Sequence, residues 1–450
     1  MFFEINSVIS SFVWGPPMLA VFLGTGLFLS AKTGFFQIFG VRKWIDTTVV
    51  NAFKSRKKNK NIKNGVSQFG ALTSALAACL GTGNIVGVAT AITSGGPGAV
   101  FWMWVSAVLG MMTCCCENIL GIKYRVRNPS GQWAGGPMYY IEKGLGMKGL
   151  AGAYAVFLTL ASFGMGNMTQ ANSVSQGLSG FGVPPVVSAV ILCFLAGVSV
   201  SGGLKRISAI SEKLIPFLTA AFVAACFAVI ISNSEKLLPC LNLILKEAFT
   251  VKAVSGFGMA KAMRYGISRG VFSNEAGLGS SAIIHACAEC DNPAEQGIWG
   301  ILEVFIDTVF MCTVTAAAIL TSGIWGEGAS LNGVELCSAV FESVFGRAGG
   351  YFLNGCICLF AFATLVAWSY YGKSGAEYLF GEKSGKIYSV IYIAAIFVGA
   401  VTKLESVWSI SDTFNGLMAI PNIFALLLLS KESTNEVNWM KKTLPFDKKL

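Results

Sequence analysis

The sequence predicts an all-α polytopic membrane protein with about eleven transmembrane helices. Of its 450 residues, 54% are hydrophobic and only 12% are charged, whereas soluble domains carry about 25% charged residues. Apolar stretches recur from Val13 to Leu429, and at about 20 residues each they can cross a hydrocarbon layer about 30 Å thick. The stretches lack the alternating pattern of barrel strands, so helices must satisfy the backbone hydrogen bonds inside the membrane.

The formal net charge of +10 does not indicate a nucleic-acid partner, because the basic residues gather in short loops between apolar stretches. Cytoplasmic loops of membrane proteins carry such an excess of Lys and Arg. The basic groups are Lys54, Arg56, Lys57, Lys58, Lys60 and Lys63, then Lys123, Arg125 and Arg127, then Lys205 and Arg206, and finally Lys441, Lys442, Lys448 and Lys449. With an odd number of helices, the pattern predicts an inner or plasma membrane protein with its N-terminus outside and its C-terminus in the cytoplasm.

The chain is predicted to contain one extra N-terminal helix followed by two groups of about five helices each. Residues 1–64 form the extra helix and a basic cytoplasmic loop, 65–232 the first group, 233–430 the second group and 431–450 a cytoplasmic tail. The extra helix is expected from about Val13 to Ser30, and MFFEIN before it lacks the basic start of a removable signal peptide. The core helices are expected near residues 68–94, 98–122, 150–176, 184–202, 208–232, 255–284, 296–321, 347–372, 386–402 and 406–430.

Two of these spans carry glycines and polar residues at membrane depth. The first core span reads ALAACLGTGNIVGVATAI, with Gly81, Thr82, Gly83 and Asn84 at its centre, and the sixth reads GISRGVFSNEAGLGSSAI. Each glycine weakens a helix by about 1 kcal/mol relative to alanine. Close helix packing alone explains glycines, but it does not call for Asn84, Asn274 and Glu275 beside them. Both helices are therefore predicted to be broken, and matching breaks in two odd-numbered halves indicate an inverted repeat.

A broken helix frees backbone N–H groups at the start of one half and carbonyls at the end of the other. The N–H ends favour an anionic group such as a carboxylate, while carbonyls and side-chain oxygens favour a hard cation such as Na⁺. The breaks therefore predict a small zwitterion or carboxylate that is carried together with a cation. They do not select a particular amino acid.

Other polar residues lie inside apolar spans. They are Asn167, Gln170 and Asn172 on the third core helix, Glu303 and Asp307 on the seventh, Thr364 and Trp368 on the eighth, and Glu117 on the second. Intramembrane carboxylates are functional candidates by default, and Asp307 is the strongest of them here. Glu117 and Glu303 can instead pair with an arginine on the cytoplasmic side, and Trp368 can be core or pocket wall.

The cysteines and the single histidine do not predict a metal centre. Cys287, Cys290 and His285 lie close in sequence, but three ligands fall short of the usual set of about four around zinc. We expect His285 to be a solvated residue at the cytoplasmic end of the sixth core helix, with proton coupling through it as the alternative.

Gly95 to Gly110, GGPGAVFWMWVSAVLG, resembles the signature segment of the sodium:alanine (alanine or glycine:cation) symporter family, and GTGNIVGVATAI, GGPMYYIEKGL and FSNEAGLGSSA resemble that family's pattern as well. The similarity extends from about Gly65 to Asn422. It implies an extra helix followed by ten helices with the fold of the bacterial leucine transporter. It also implies inward symport of small neutral amino acids, alanine or glycine, with Na⁺ as the coupling ion. Neither the residues nor the resemblance determines the oligomeric state, and a monomer is sufficient for this function.

The resemblance implies roles for individual residues. The substrate would contact Thr82, Gly83, Asn84, Gln170, Phe272, Ser273, Asn274, Thr364 and Trp368. The sodium would be held by Asn84, Cys79, Leu80, Asp307 and Thr364. Trp368 would shrink the site and favour Ala or Gly over larger side chains.

Three alternative functions make different demands on the sequence. A proton-coupled carrier of the same fold would use Asp307 or Glu275. A membrane enzyme would need a cluster of nucleophile, base or metal ligands, and the scattered carboxylates do not predict one. A channel would need a filter motif or a charged ring, and none is evident.

Overall fold

The chain is described by a computed structural model that covers residues 2–50, 65–250, 258–325, 331, 333–402 and 405–443. This part of the chain is almost entirely helical, as predicted. One two-stranded antiparallel ribbon, Val126–Arg127 with Trp133–Ala134, connects two of the helices. The basic loop of residues 54–63 and the terminal Lys448 and Lys449 lie outside the described residues.

The N-terminal segment begins earlier than the sequence predicts. Helices α1 (Phe2–Val13) and α2 (Pro16–Lys32) join at Gly15, and residues 6–32 together form an apolar segment long enough to span a membrane. Pro16 explains the interruption, because proline lacks an N–H group and is favoured at the first turn of a helix. Two short helices follow, α3 (Phe36–Phe39) and α4 (Val41–Ile45), with a π-helical turn over Asp46–Val50.

The first predicted group is a succession of α-helices in the structure. They are α5 (Gln68–Cys79), α6 (Val86–Gly95), α7 (Gly98–Lys123), α8 (Pro137–Leu145), α9 (Lys148–Phe163), α10 (Thr169–Ser179), α11 (Pro185–Ser201) and α12 (Gly203–Ser232). A π-helical turn, Gly164–Met168, joins α9 to α10. Lys205 and Arg206 lie on the first turn of α12 and not in the loop before it, since the helix already begins at Gly203.

The second predicted group follows the same all-helical pattern. Its helices are α13 (Leu237–Phe249), α14 (Met259–Asn274), α15 (Ser281–His285), α16 (Pro293–Val304), α17 (Thr313–Ser322), α18 (Gly333–Phe345), α19 (Arg347–Phe380), α20 (Ser384–Val401) and α21 (Glu405–Leu428). A π-helical turn over Phe305–Cys312 joins α16 to α17. The tail begins with a further helix, α22 (Ser430–Thr443).

Seven helical segments in the described part of the chain are long and apolar enough to cross a membrane, or eight if the bent pair α21 and α22 counts as one span. Helices α5, α6 and α11 are apolar but shorter. The figure of eleven spans therefore stays a prediction. The short apolar helices α5 and α6 follow one another in the chain and are separated by residues 80–85.

Helix α7 lies at the centre of the packing. It contacts α14, α15 and α16, while α19 contacts α5, α9, α10 and α12. At Gly266 a Cβ atom would collide with the carbonyl oxygen of Ala99, so glycine lets α14 approach the backbone of α7 directly. This approach places the end of α14 at Asn274 deep in the protein, where it is buried.

The C-terminal helix is tied to the end of α7. The carboxylate of Glu432 on α22 accepts a hydrogen bond from the Tyr124 hydroxyl at 2.8 Å and lies 2.9 Å from the Lys123 ammonium. Partial burial opposes ionisation, but these two partners outweigh it and lower the pKa of the Glu432 carboxyl. The contact fixes the direction of the chain after the 64° bend between α21 and α22.

Replacing Glu432 with glutamine is expected to weaken this attachment by less than about 1 kcal/mol, because half-exposed ion pairs contribute little. A fall in pH should also weaken the attachment of α22 to α7. Since the pKa is lowered in the folded protein, the contribution is present above the ordinary glutamate pKa and is lost as the pH falls through the lowered value. Faster amide hydrogen exchange in residues 430–443 checks this, with Glu436→Gln on the same helix as the control. Equal exchange in the two variants would contradict it.

Candidate functional site

The first break follows Cys79, where α5 ends. Leu80 and Gly81 leave the helix, a 3₁₀ turn covers Thr82–Asn84, and α6 begins at Val86. A Cβ atom at Gly81 would lie 2.7 Å from Oγ1 of Thr364 on α19. The Thr364 hydroxyl is itself anchored, since it donates to the carbonyl of Ala77 at 2.9 Å. Only glycine allows the broken segment to pass this close to α19.

The second break lies between Asn274, where α14 ends, and Ser281, where α15 begins. Three residues in it adopt positive φ angles: Glu275 at 56°, Gly277 at 93° and Gly279 at 79°. For a side chain such as glutamate this conformation is strained, and strain of this kind concentrates at functional sites. The residues that surround the second break must therefore stabilise its strained backbone.

Specific hydrogen bonds to Gly277 and Leu278 stabilise the backbone of the second break. The carboxylate of Glu117 on α7 accepts from the backbone N–H of Gly277 at 2.9 Å and from the side-chain amide of Asn422 on α21. The Asn422 amide also donates to the Gly277 carbonyl at 2.8 Å, and the Tyr154 hydroxyl donates to the Leu278 carbonyl at 2.9 Å. Asn422 was not among the predicted site residues, because a single amide in an apolar helix gives no signal of its own.

The two breaks meet in one chain of hydrogen bonds. The Asn84 amide donates to Oδ1 of Asp307 at 2.7 Å and to the Asp307 carbonyl at 3.0 Å. Oδ2 of Asp307 accepts from the Thr308 hydroxyl at 2.7 Å, and the Asn274 amide donates to that hydroxyl at 3.1 Å. The first break, the seventh core helix and the second break are thereby connected through side chains that are all buried.

Gly83 and Ser273 bring the backbones of the two breaks together. A Cβ atom at Gly83 would lie 3.6 Å from the Cα atom of Ser273, which is ordinary contact. Sγ of Cys312 lies 3.5 Å from the Asn84 amide and 3.8 Å from the Ser273 hydroxyl. Thr82 is buried in the same 3₁₀ turn. Sequence reasoning did not include Cys312, which occupies the centre of this contact.

Helix α19 contacts both breaks, one turn apart. Thr364 faces Gly81 at the first break, and Nε1 of Trp368 donates to Oε1 of Glu275 at the second break at 3.1 Å. The other carboxylate oxygen of Glu275 accepts from the Ser280 hydroxyl. Trp368 thus fixes the strained residue of the second break.

Two predicted site residues contact other parts of the protein. The Gln170 amide donates to the Met165 carbonyl at 3.1 Å, on the π-helical turn whose Gly166 packs against Trp368. Phe272 precedes Ser273, and its ring lies 5.5 Å from the Arg269 guanidinium beside a surface cavity.

The predicted sodium ligands form two local groups. Asn84 and Asp307 are hydrogen-bonded to each other, and Thr364 packs on Gly81, next to Cys79 and Leu80 in sequence. Oδ1 of Asn84 is buried without a hydrogen-bond partner, and Cys79 presents a carbonyl that accepts from Gly81 N–H at 2.8 Å. In the described part of the chain no three His, Cys, Asp or Glu side chains are placed to hold a metal ion. A cation here would rely on amide and backbone oxygens, which suit Na⁺ better than a transition metal.

The electrostatics of the region favour a cation. Four carboxylates are fully or almost fully buried around the breaks: Glu117, Glu275, Glu303 and Asp307. No lysine or arginine of the described residues forms an ion pair with any of them. The pairing of Glu117 or Glu303 with a cytoplasmic-side arginine, one of the expected alternatives, is therefore not what these residues do.

The expectation that His285 is solvated is wrong. Its side chain is fully buried, with Nε2 3.0 Å from Oε2 of Glu303 and Nδ1 2.6 Å from the amide of Gln296. His285 is buried because α16, which follows it in the chain, covers the end of α15. Glu303 also accepts from the Ser281 hydroxyl at 2.7 Å and from the Cys79 thiol at 3.6 Å. His285 and Glu303 therefore connect the second half of the second break to the end of α5.

Gly81→Ala is expected to lower transport by about tenfold, because the new methyl group must displace Oγ1 of Thr364 from its 2.7 Å position, at a cost of about 1–3 kcal/mol. Gly87→Ala is the matched control. It lies just beyond the same break, a Cβ atom at this position would have no neighbour within 4 Å, and alanine favours the helix. The measurement compares the uptake rates of the two variants, normalised to the amount of protein in the membrane. Equal rates would mean that the contact with Thr364 is unimportant.

Comparison with known proteins identifies the family. The family model described as the sodium:alanine symporter family matches residues 1–448. The sodium/alanine symporter AgcS of Methanococcus maripaludis is 40% identical over 439 residues, which cover 95% of each chain. A putative sodium/proton-dependent alanine carrier protein of Bacillus subtilis, YrbD, is 35% identical and covers 94% of this chain and 89% of its own.

A solved structure shows the fold. The crystal structure of MhsT in complex with L-phenylalanine matches 84% of this chain and 97% of MhsT, with a TM-score of 0.59 at 15% identity. This confirms the leucine-transporter-like fold. The relatives are secondary transporters, which confirms that the chain is not an enzyme. The two helix breaks, joined through Asn84, Asp307 and Asn274, thus belong to a multi-pass membrane transporter, and the chain is a member of the sodium:alanine symporter family.

Proposed function

We propose that this transporter carries a small neutral amino acid, alanine or glycine, into the cell together with Na⁺ by alternating access. The observation that carries the proposal is the hydrogen-bonded chain from Asn84 through Asp307 and Thr308 to Asn274. It couples the two helix breaks, so a ligand that orders one break acts on the other. The halves 65–232 and 233–430 would move relative to each other as inverted repeats.

The polarity of the broken helices supports the proposed position of the substrate. Its carboxylate would meet the free N–H groups of Thr82, Gly83 and Asn84, where the dipole of α6 is positive. Its ammonium group would meet the hydroxyl and amide oxygens of Ser273 and Asn274. Phe272, Gln170, Thr364 and Trp368 would close the pocket around a small side chain.

Oxygen atoms at the first break support the proposed position of the sodium. Oδ1 of Asn84 has no hydrogen-bond partner, and the carbonyls of Cys79 and Leu80, the Asp307 carboxylate and the Thr364 hydroxyl complete the proposed set. Na⁺ would neutralise part of the buried negative charge. Sodium binding would therefore order the first break before the amino acid binds.

Proton coupling is the second candidate, and the four buried carboxylates favour it as well. Asp307 or Glu275 would then take up a proton in place of the sodium. The relative from Bacillus subtilis that is named as sodium/proton-dependent gives this alternative additional weight. Both versions would operate in the plasma or inner membrane, with the N-terminus outside and the C-terminus in the cytoplasm, and a monomer would be sufficient for either.

Uptake of radiolabelled alanine into proteoliposomes tests the proposal. We expect uptake with an inward Na⁺ gradient, none with K⁺ in its place, and competition by unlabelled glycine. Protein-free liposomes are the control. Uptake that follows an inward proton gradient without Na⁺ would replace sodium by proton coupling, and failure with all small amino acids would contradict the proposed substrate class.

A further inference from the structure

A basic surface lies where the extra N-terminal helix meets the C-terminal helix. Helices α2 and α7 belong to segments that are long and apolar enough to span a membrane, and they end at Lys32 and Lys123. The Lys32 ammonium lies 3.1 Å from the Ser430 hydroxyl, and the Lys123 ammonium lies 2.9 Å from Glu432. Both helices therefore end beside the first turn of α22, at the level of the lipid headgroups.

Helix α22 turns away from the direction of the helix before it. It bends by 64° from α21, and its side chains Ser433, Val437 and Met440 are buried against the rest of the protein. Trp439 is 51% exposed. Tryptophan is enriched at membrane–water interfaces, and amphipathic helices lie there in the plane of the headgroups. Helix α22 thus has the features of an interfacial helix.

The segment that follows α2 presents apolar side chains on the same surface. Trp44 fixes this segment to the protein, since it is buried and its ring lies 5.7 Å from the ring of Phe305. Phe39 is 82% exposed, and Ile38 and Val41 are exposed as well. Apolar side chains next to basic groups suit a lipid, whose acyl chains lie below a charged headgroup.

Three lysines are held around the end of α2. The Lys441 ammonium donates to the Thr33 carbonyl at 2.7 Å, and the Lys43 ammonium donates to the Lys441 carbonyl at 2.8 Å. An ammonium group carries three N–H donors, so the single hydrogen bond made by Lys32 or Lys441 leaves donors for a ligand. Among the described residues, no carboxylate lies within 4.0 Å of either of these two ammonium groups.

We propose that this surface binds the phosphate headgroup of an anionic phospholipid. The ammonium groups of Lys32 and Lys441 contact the phosphate, and the acyl chains lie along Phe39 and Val41. A phosphate supplies the negative charge and the acceptor oxygens that the two lysines lack. Because α2 provides one lysine and α22 the other, the lipid connects the extra N-terminal helix to the C-terminal helix. The proposal depends neither on the transported substrate nor on the coupling ion.

Hydrogen exchange of the full-length protein in lipid nanodiscs tests this site. Nanodiscs of dioleoyl phosphatidylcholine are compared with nanodiscs that also contain dioleoyl phosphatidylglycerol, which has the same acyl chains but a negative charge. We expect phosphatidylglycerol to slow amide exchange severalfold in residues 36–45 and 430–443, because a bound ligand stabilises the segments that hold it. High salt should reduce this protection, since the charges lie at the surface.

Substitutions of single lysines locate the site. Lys32→Gln is expected to reduce the difference between the two lipids, and the addition of Lys441→Gln should remove it. Lys143→Gln is the matched control, because it removes one charge from an exposed lysine on α8. This lysine is on the same side of the protein, since the adjacent Gly144 packs on the Tyr124 ring. The control variant should keep the full difference.

Equal exchange in the two kinds of nanodisc would overturn the proposal, and so would a difference that survives in the double variant. Inorganic phosphate, added to the detergent-solubilised protein, distinguishes a lipid from a free anion. Protection by phosphate as strong as that by phosphatidylglycerol would contradict a lipid site. Where the thermal unfolding midpoint shows that the double variant does not fold, Lys32→Gln alone gives the same test, because Lys32 is exposed.

Discussion

Asn84→Ala is expected to reduce Na⁺-driven alanine uptake by about 100-fold or more. The substitution removes the hydrogen bonds to the Asp307 carboxylate and carbonyl and leaves a buried carboxylate oxygen without a donor. Hydrogen bonds to charged groups contribute about 1.5–3 kcal/mol each, and about 1.4 kcal/mol corresponds to a factor of ten. In the proposed mechanism it also removes an amide oxygen from the sodium.

Asn172→Ala is the matched control for this variant. Asn172 is also a buried asparagine whose amide donates to backbone carbonyls, those of Gly399 and Thr402, but it contacts neither break. Initial uptake rates in proteoliposomes, corrected for the amount of folded protein, compare the two. If Asn84→Ala retains more than about half of the wild-type rate, the break is not the transport site.

Asp307→Asn is expected to abolish the stabilisation of the protein by Na⁺. A ligand at about 100 times its Kd stabilises the folded state by about 2.7 kcal/mol, which raises the thermal unfolding midpoint. Asparagine preserves the size of the side chain but removes the charge that attracts the cation. The measurement is the unfolding midpoint of detergent-solubilised protein in Na⁺ and in K⁺ at equal ionic strength.

Glu303→Gln provides the comparison for Asp307→Asn, because it neutralises a fully buried carboxylate four residues earlier on the same helical segment. Its partners are the Ser281 hydroxyl, the His285 ring and the Cys79 thiol, and none of these groups is an oxygen of the proposed sodium set, so the Na⁺ response should survive. If Glu303→Gln loses the Na⁺ response while Asp307→Asn retains it, the sodium binds at the His285–Glu303 pair and not at the first break.

Helices end at Cys79 and Asn274, inside the two segments where the sequence predicts breaks, because the signals for these ends are local. Glycines at Gly81 and Gly277 beside Asn84 and Glu275 are unfavourable in a membrane helix in any context. The eighth core helix also carries a local signal, because Thr364 and Trp368 are one helical turn apart in the sequence. In the structure Thr364 contacts Gly81 at the first break, and Trp368 contacts Glu275 at the second.

Other contacts depend on residues far apart in sequence, and the sequence did not reveal them. The Asn422 amide forms a hydrogen bond with the carbonyl of Gly277, which lies 145 residues earlier in the sequence. The Gln296 amide contacts His285 from a helix that follows the second break. The π-helical turn over Phe305–Cys312 also changes the angle between Glu303 and Asp307. In a regular α-helix a spacing of four residues would place Glu303 and Asp307 on one face. A π turn takes more residues per turn, so Asp307 contacts Asn84 while Glu303 contacts Ser281 and His285.

Reciprocal coupling between sodium and alanine tests the central claim most directly. Isothermal titration calorimetry of the purified protein gives the alanine Kd at zero and at saturating Na⁺, and the Na⁺ Kd with and without saturating alanine. If both ligands order the same pair of breaks, each should tighten the other by the same factor, about tenfold or more. An alanine Kd that is unchanged between zero and saturating Na⁺ would contradict the account.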